Sequence, residues 1–168
     1  MIPGVRTSPF SLNAECVVIG IGDYRVGAYP MATIGLGSCI ALVLHDRNRS
    51  IGGMAHIMLP ASNGNSGRPA KFADTALDAL ISGLEEAGGS MQHTVAKIVG
   101  GACMFEYSSD HLNIGDRNAE AVRELLKAHR IRVAGEETGG KVGRSILYQP
   151  AEGGTITIRR ADGTCGDI

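Results

Sequence analysis

Hydrophobic positions along the chain fall into short runs punctuated by glycine, with two longer stretches at helical spacing. Cys16-Val17-Val18-Ile19-Gly20-Ile21 reads as a buried strand ending near Asp23. Cys39-Ile40-Ala41-Leu42-Val43-Leu44 reads as a second strand, and residues 51–59 as a third, stopped by Pro60. Arg47-Asn48-Arg49-Ser50 is the expected turn between the latter two, and residues 33–38, with Gly35 and Gly37, are expected to turn as well. Phe72, Ala76, Leu77, Leu80, Ile81 and Leu84 predict an amphipathic helix closed by Gly88-Gly89. Residues 96–99 predict a short strand running into Gly100-Gly101, and residues 118–129 a second helix with Ala121, Val122, Leu125 and Leu126 inward. Residues 131–133, 145–148 and 155–159 are expected strands; the last two alternate as half-exposed antiparallel strands do. The pattern predicts a mixed α/β (α+β) fold: one strand-rich domain over residues 14–161, after a loose leader at 1–13 and before a tail at 162–168.

Composition narrows the class. A chain of 168 residues can bury a sizeable core. Its 16 Lys+Arg nearly balance 17 Asp+Glu, which excludes a dominant electrostatic footprint for nucleic acid or an anionic membrane. No apolar run approaches the roughly 18 residues of a membrane span, and the N-terminal stretch lacks a signal-like core. No nucleic-acid partner, no membrane insertion and a cytoplasmic location are expected. Cys16, Cys39, Cys103 and Cys165 form no CxxC pair and are expected as free thiols. Finger-like ligand spacing is lacking too, so neither a metal nor a cofactor is expected.

Candidate chemistry centres on Thr33-Ile34-Gly35-Leu36-Gly37-Ser38-Cys39 and on His56 within Gly52-Gly53-Met54-Ala55-His56. A hairpin centred between Arg47 and Asn48 sets Cys39 directly opposite His56, with Cβ atoms roughly 4.5–5.5 Å apart on one face. A one-residue slip would separate them. A thiol beside an imidazole can form a thiolate–imidazolium pair that attacks a carbonyl carbon. Backbone N–H groups at Gly37, Ser38 and Cys39, bent by the glycines, can supply an oxyanion hole. Thr33 can orient the imidazole through its hydroxyl or carbonyl, where Asp or Asn is more usual. The residues alone leave a structural reading open, because a cysteine at a strand start and a histidine on an apolar strand are ordinarily packing residues. Gly100-Gly101 and Ile114-Gly115-Asp116-Arg117-Asn118 can shape a cleft, but tight turns and a first-turn or capping Asp116 are the plainer reading. His45, His93, His111 and His129 are expected in turns or helix ends, and residues 62–69 form a polar loop near His56 that can gate the site.

These motifs closely resemble the CheD family of chemoreceptor glutamine deamidases. The resemblance covers Thr33-x-Gly-Leu-Gly-Ser-Cys39, Gly-x-Met-Ala-His56-x-Met-Leu-Pro60 and Lys71-Phe72-Ala73-Asp74-Thr75-Ala76. It continues through Ala96-Lys97-Ile98-Val99-Gly100-Gly101-Ala102-Cys103-Met104-Phe105, Asn113 to Asn118, Glu137-Thr138-Gly139-Gly140 and Gly143-Arg144-Ser145. It implies a cysteine-dependent protein-glutamine glutaminase, with the family's catalytic Cys, His and Thr on Cys39, His56 and Thr33. It also implies a sandwich similar to toxin-type glutamine deamidases, methyl-accepting chemoreceptor cytoplasmic domains as substrate, and in many bacteria a CheC-like phosphatase as partner. The alternative is a binding module that regulates such a phosphatase, and receptor methylesterase activity is a variant within the enzyme class.

Overall fold

The computed structural model describes residues 10–65, 67–104 and 113–168. Most of the leader, Ser66 of the polar loop, Phe105 and His111 therefore lie outside the described residues. Within them the chain runs β1 (Val17–Val18), β2 (Tyr24–Gly27), β3 (Met31–Leu36), β4 (Ile40–Asp46), β5 (Ile51–Ile57), α1 (Ala73–Glu86), β6 (Thr94–Gly100), α2 (Ile114–Ala128), β7 (Arg132–Thr138), β8 (Arg144–Gln149), β9 (Thr155–Arg160) and β10 (Cys165–Asp167). The strands form two five-stranded sheets, ordered β1-β3-β8-β9-β10 and β2-β5-β4-β6-β7. The fold is the strand-rich α+β arrangement that the pattern predicts.

Three layers follow from the period-2 alternation of β4 and β5. Ile40, Leu42, Leu44, Ala55 and Ile57 face α1 and α2, where they pack with Leu77, Leu80, Leu84, Val122 and Leu126. Ala41, Val43 and Met54 point the other way, into a core shared with Met31, Leu36, Ile146, Tyr148, Ile156 and Ile158 of the second sheet. Because β4 is apolar on both faces it is buried along its whole length, as a central strand between two layers must be.

Several elements depart from the sequence pattern. Residues 33–36, expected to turn, are the end of strand β3; Gly35, at φ 72°, inserts a register shift between Thr33 and Leu36 without ending the strand. Thr33 is consequently fully buried in a sheet rather than held in a loop. Helix α2 starts at Ile114, four residues earlier than expected, because Asn113 caps it: its side chain accepts from the Asp116 N–H at 2.8 Å and donates to the Asp116 carboxylate at 2.7 Å. Asp116 is thus a first-turn residue. Residues 162–168, read as a tail, carry β10, which pairs antiparallel with β9, while Ile168 pairs with Ile156. His45, expected in a turn, is buried in β4 with its Nδ1 2.8 Å from the Tyr148 hydroxyl.

The β4–β5 hairpin has a different register from the one expected. Its turn is the full four residues 47–50, closed by the Asp46↔Ile51 pair, so His56 lies opposite Ala41 and not Cys39. The Asp46 carboxylate fixes this turn by accepting the Asn48 and Arg49 amides at 2.9 and 3.2 Å, and Ser50 adopts φ 52°. The displacement is two residues, an even number, so Cys39 and His56 keep the same face.

Candidate active site

Strand β3 of one sheet and β5 of the other bring Thr33 and His56 together across the inter-sheet layer. The Thr33 hydroxyl lies 2.7 Å from the Ile19 carbonyl oxygen and 2.8 Å from His56 Nδ1. This geometry fixes the tautomer. A carbonyl oxygen only accepts, so the single Thr33 proton goes to Ile19, and His56 Nδ1–H must donate to Thr33 Oγ1. Nε2 then carries the free lone pair, and it is buried with no hydrogen-bond partner among the described residues. An imidazole oriented at Nδ1 and open at Nε2 is the form a general base requires.

Cys39 sits immediately before β4, half-buried against the inter-sheet core. Continuing the ladder one residue beyond Ile40↔Ile57 makes Cys39 the diagonal neighbour of His56 on the shared face, a relationship that typically spans roughly 7–8 Å between Cα atoms. Burial pushes the Cys39 thiol up. Burial also pulls the His56 imidazole below its ordinary range, partly offset by the Ile19 carbonyl. Both shifts favour the uncharged thiol and imidazole at neutral pH, in place of the ion pair expected from residue types alone.

The turn carrying Cys39 is held by its carbonyls. Ala102 N–H donates to Gly37 O at 2.8 Å and Gly101 N–H to Cys39 O at 2.9 Å. The Asn118 side-chain amide donates to Ser38 O and to Met58 O, both at 3.0 Å. The amides of Gly37, Ser38 and Cys39, by contrast, donate to nothing among the described residues. Three carbonyls of this turn are thus tied down while its three amides are left open. Gly100, at φ 120°, is the residue that lets the clamping strand approach, since a Cβ there would overlap the Cys39 carbonyl oxygen. Behind it, Arg144 donates to Gly139 O at 2.9 Å and to Glu137 at 2.9 Å, and Glu137 also takes Arg160.

Asn118 is named in the sequence only as the end of the 114–118 segment that can shape a cleft, although a signal for its own role exists. It lies one helical turn before Val122 and two before Leu126, so it is a polar residue on the buried stripe of α2. The Ile19 carbonyl, which completes the Thr33 contact, has no side-chain signature at all.

A cavity of about 440 Å³ is lined by Gly35, Met104, Gly143, Arg144, Ser145 and Arg159, among others, beside the turn that carries Cys39. A larger groove of about 920 Å³ runs between α1 and α2, lined by Pro60, Glu120 and Leu125 among others, and neither space is lined by Cys39 or His56. The ends of the 62–69 loop are held: Ser62 donates to Asp74, and Arg68 pairs with Asp23 at 2.7 Å. Among the described residues no three His, Cys, Asp or Glu side chains gather as metal ligands do. No helix there is long and apolar enough to cross a membrane.

Comparison with known proteins places these features in context. A family model described as CheD chemotactic sensory transduction matches residues 58–160. A chemoreceptor glutamine deamidase CheD of Thermotoga maritima is 45% identical over 148 residues, covering 87% of this chain and 92% of its own. A probable chemoreceptor glutamine deamidase CheD of Haloarcula marismortui is 40% identical over 158 residues, covering 92% of this chain and 91% of its own. One from Desulforamulus reducens is 44% identical over 153 residues, at 88% and 91% coverage.

Proposed function

The chain belongs to the CheD family, and from that premise we propose that it hydrolyses the side-chain amide of particular glutamines on chemoreceptor cytoplasmic domains, with Cys39 as nucleophile, His56 as base and Thr33 as the orienting group. The observation that carries this reading is the Thr33–His56 contact at 2.8 Å, which leaves a lone pair at Nε2 on the face shared with Cys39.

The chemistry follows from the uncharged resting pair. As the sulfur of Cys39 bonds to the glutamine carbonyl carbon, its proton passes to His56 Nε2, and the carbonyl π pair moves onto oxygen. The resulting oxyanion is met by the open amides at Gly37, Ser38 and Cys39. The imidazolium keeps Nδ1–H on Thr33 and returns the Nε2 proton to the amide nitrogen, so the carbon–nitrogen bond breaks and ammonia leaves. A thioester remains. Water then attacks it, gives its proton to His56, and the carbon–sulfur bond breaks to yield glutamate and the regenerated thiol.

The proposed action is cytoplasmic, on receptor domains. A CheC-like phosphatase as a second partner rests on the family resemblance. Incubating the protein with a cognate receptor cytoplasmic fragment and mapping glutamine-to-glutamate conversion by mass spectrometry tests the reading; absence of conversion across cognate receptors would remove it.

A further inference from the structure

Asn118 is fully buried on α2, and its amide nitrogen bridges two carbonyls from separate segments: Ser38, next to the nucleophile, and Met58, two residues beyond His56. Only the NH2 end of the side chain suits two acceptors, so the orientation of the amide is set by its partners. Its Oδ1 is buried with no partner, an expense that packing alone does not explain.

Peptide geometry turns this contact into a direction. No peptide among the described residues is cis, and in a trans unit the C=O and the N–H point opposite ways. The carbonyl of Ser38 and the amide of Cys39 belong to one such unit. Drawing Ser38 O toward the buried helix therefore turns the Cys39 N–H away from it, and that amide has no partner among the described residues. Ala102 acts in the same sense on the neighbouring unit, holding Gly37 O and so turning the Ser38 N–H.

We infer that Asn118 is a positioning residue for catalysis: it aims the Cys39 backbone N–H at the developing oxyanion and ties that turn to the end of the strand carrying His56. The inference rests on the deamidase reading for its substrate. Its geometric content, an oxyanion donor set by a buried amide, applies to any carbonyl that Cys39 attacks. An aimed N–H acts mainly in the transition state, so its loss falls on kcat and spares KM.

The test compares wild type with Asn118→Leu, which removes the donor while filling similar volume. Receptor deamidation should show kcat lowered by about 10²-fold, the range for one oxyanion donor, with KM within about threefold. Alkylation of Cys39 by iodoacetamide forms no oxyanion, and its rate should stay within about threefold of wild type. A simple aldehyde, propanal, adds to the thiol as a hemithioacetal whose oxygen occupies the same hole. Its protection of Cys39 against alkylation should weaken by about tenfold or more. If Asn118→Leu does not fold, Asn118→Ser is read in the same way.

A folded variant with kcat and propanal protection both within about threefold of wild type would overturn the assignment. So would a parallel loss of alkylation and turnover, which marks general disruption of the site. If the wild type fails to deamidate receptors while propanal protection still depends on Asn118, the substrate reading falls and the positioning role stands.

Discussion

Thr33 of β3 accepts a hydrogen bond from His56 of β5 at 2.8 Å, a buried link between the two sheets. Because Thr33 spends its own proton on the Ile19 carbonyl, the contact dictates which imidazole nitrogen is free. In the proposed site threonine takes the place that a carboxylate holds in other triads, without putting a negative charge in the inter-sheet core.

Replacing that hydroxyl tests the relationship. Thr33→Val keeps the shape but leaves His56 Nδ1–H and Ile19 O without their partner. Deamidation should fall by about 10²-fold, in the range of lost general-base catalysis, while Thr33→Ser should retain most of the activity. Steady-state rates of the two variants, side by side, decide it.

The pH profile follows from the direction of the His56 shift. The base must be neutral to accept the Cys39 proton, and burial holds its pKa below the ordinary imidazole value. Activity should therefore persist on acidification through pH 6.5 and be lost only below it. A profile of kcat/KM against pH with its acid limb above that value would contradict a neutral buried base.

Gly100 packs its backbone against the segment that carries Cys39. Gly100→Ala forces a methyl onto the Cys39 carbonyl oxygen and strains a φ of 120°. A destabilisation of about 2 kcal/mol or more is expected in denaturant unfolding, together with loss of activity in the remaining folded protein. Gly153→Ala is the control, since a Cβ there meets nothing within 4 Å and its φ of 68° adds only left-handed backbone strain.

Much of this was legible in the sequence, and the gaps have physical causes. Both helices and the β4–β5 hairpin are marked by clear periodicity, and motif spacing already set Cys39, His56 and Thr33 apart. Strand β3 was hidden because Gly35 and Gly37 read as a turn, whereas only the second lies outside the strand. The hairpin register differs by two residues because the expected centre lies between Arg47 and Asn48, whereas the turn that the Asp46 carboxylate holds is centred between Asn48 and Arg49. Because that difference is an even number, Cys39 and His56 still share one face. The clamp from Asn118 and the Ile19 carbonyl depend on tertiary packing and on backbone groups that every residue carries.

Stability in acid should depend on Glu137. Arg160, with Arg144 beside it, holds this carboxyl below its usual range. A depressed carboxylate contributes stability that is present above its unfolded pKa of 4.5 and lost as pH falls through the lower folded value. Glu137→Gln should cost about 2–3 kcal/mol at pH 7, because it leaves the buried Arg144 without its anion. The gap to wild type should narrow in urea titrations below pH 4.5.

The most direct measurement is receptor deamidation by the wild type and by Cys39→Ala, read residue by residue by mass spectrometry on a cognate cytoplasmic fragment. Wild type should convert selected glutamines to glutamate, and Cys39→Ala, folded and otherwise unchanged, should convert none above the spontaneous background. Conversion that persists undiminished in Cys39→Ala would contradict the account.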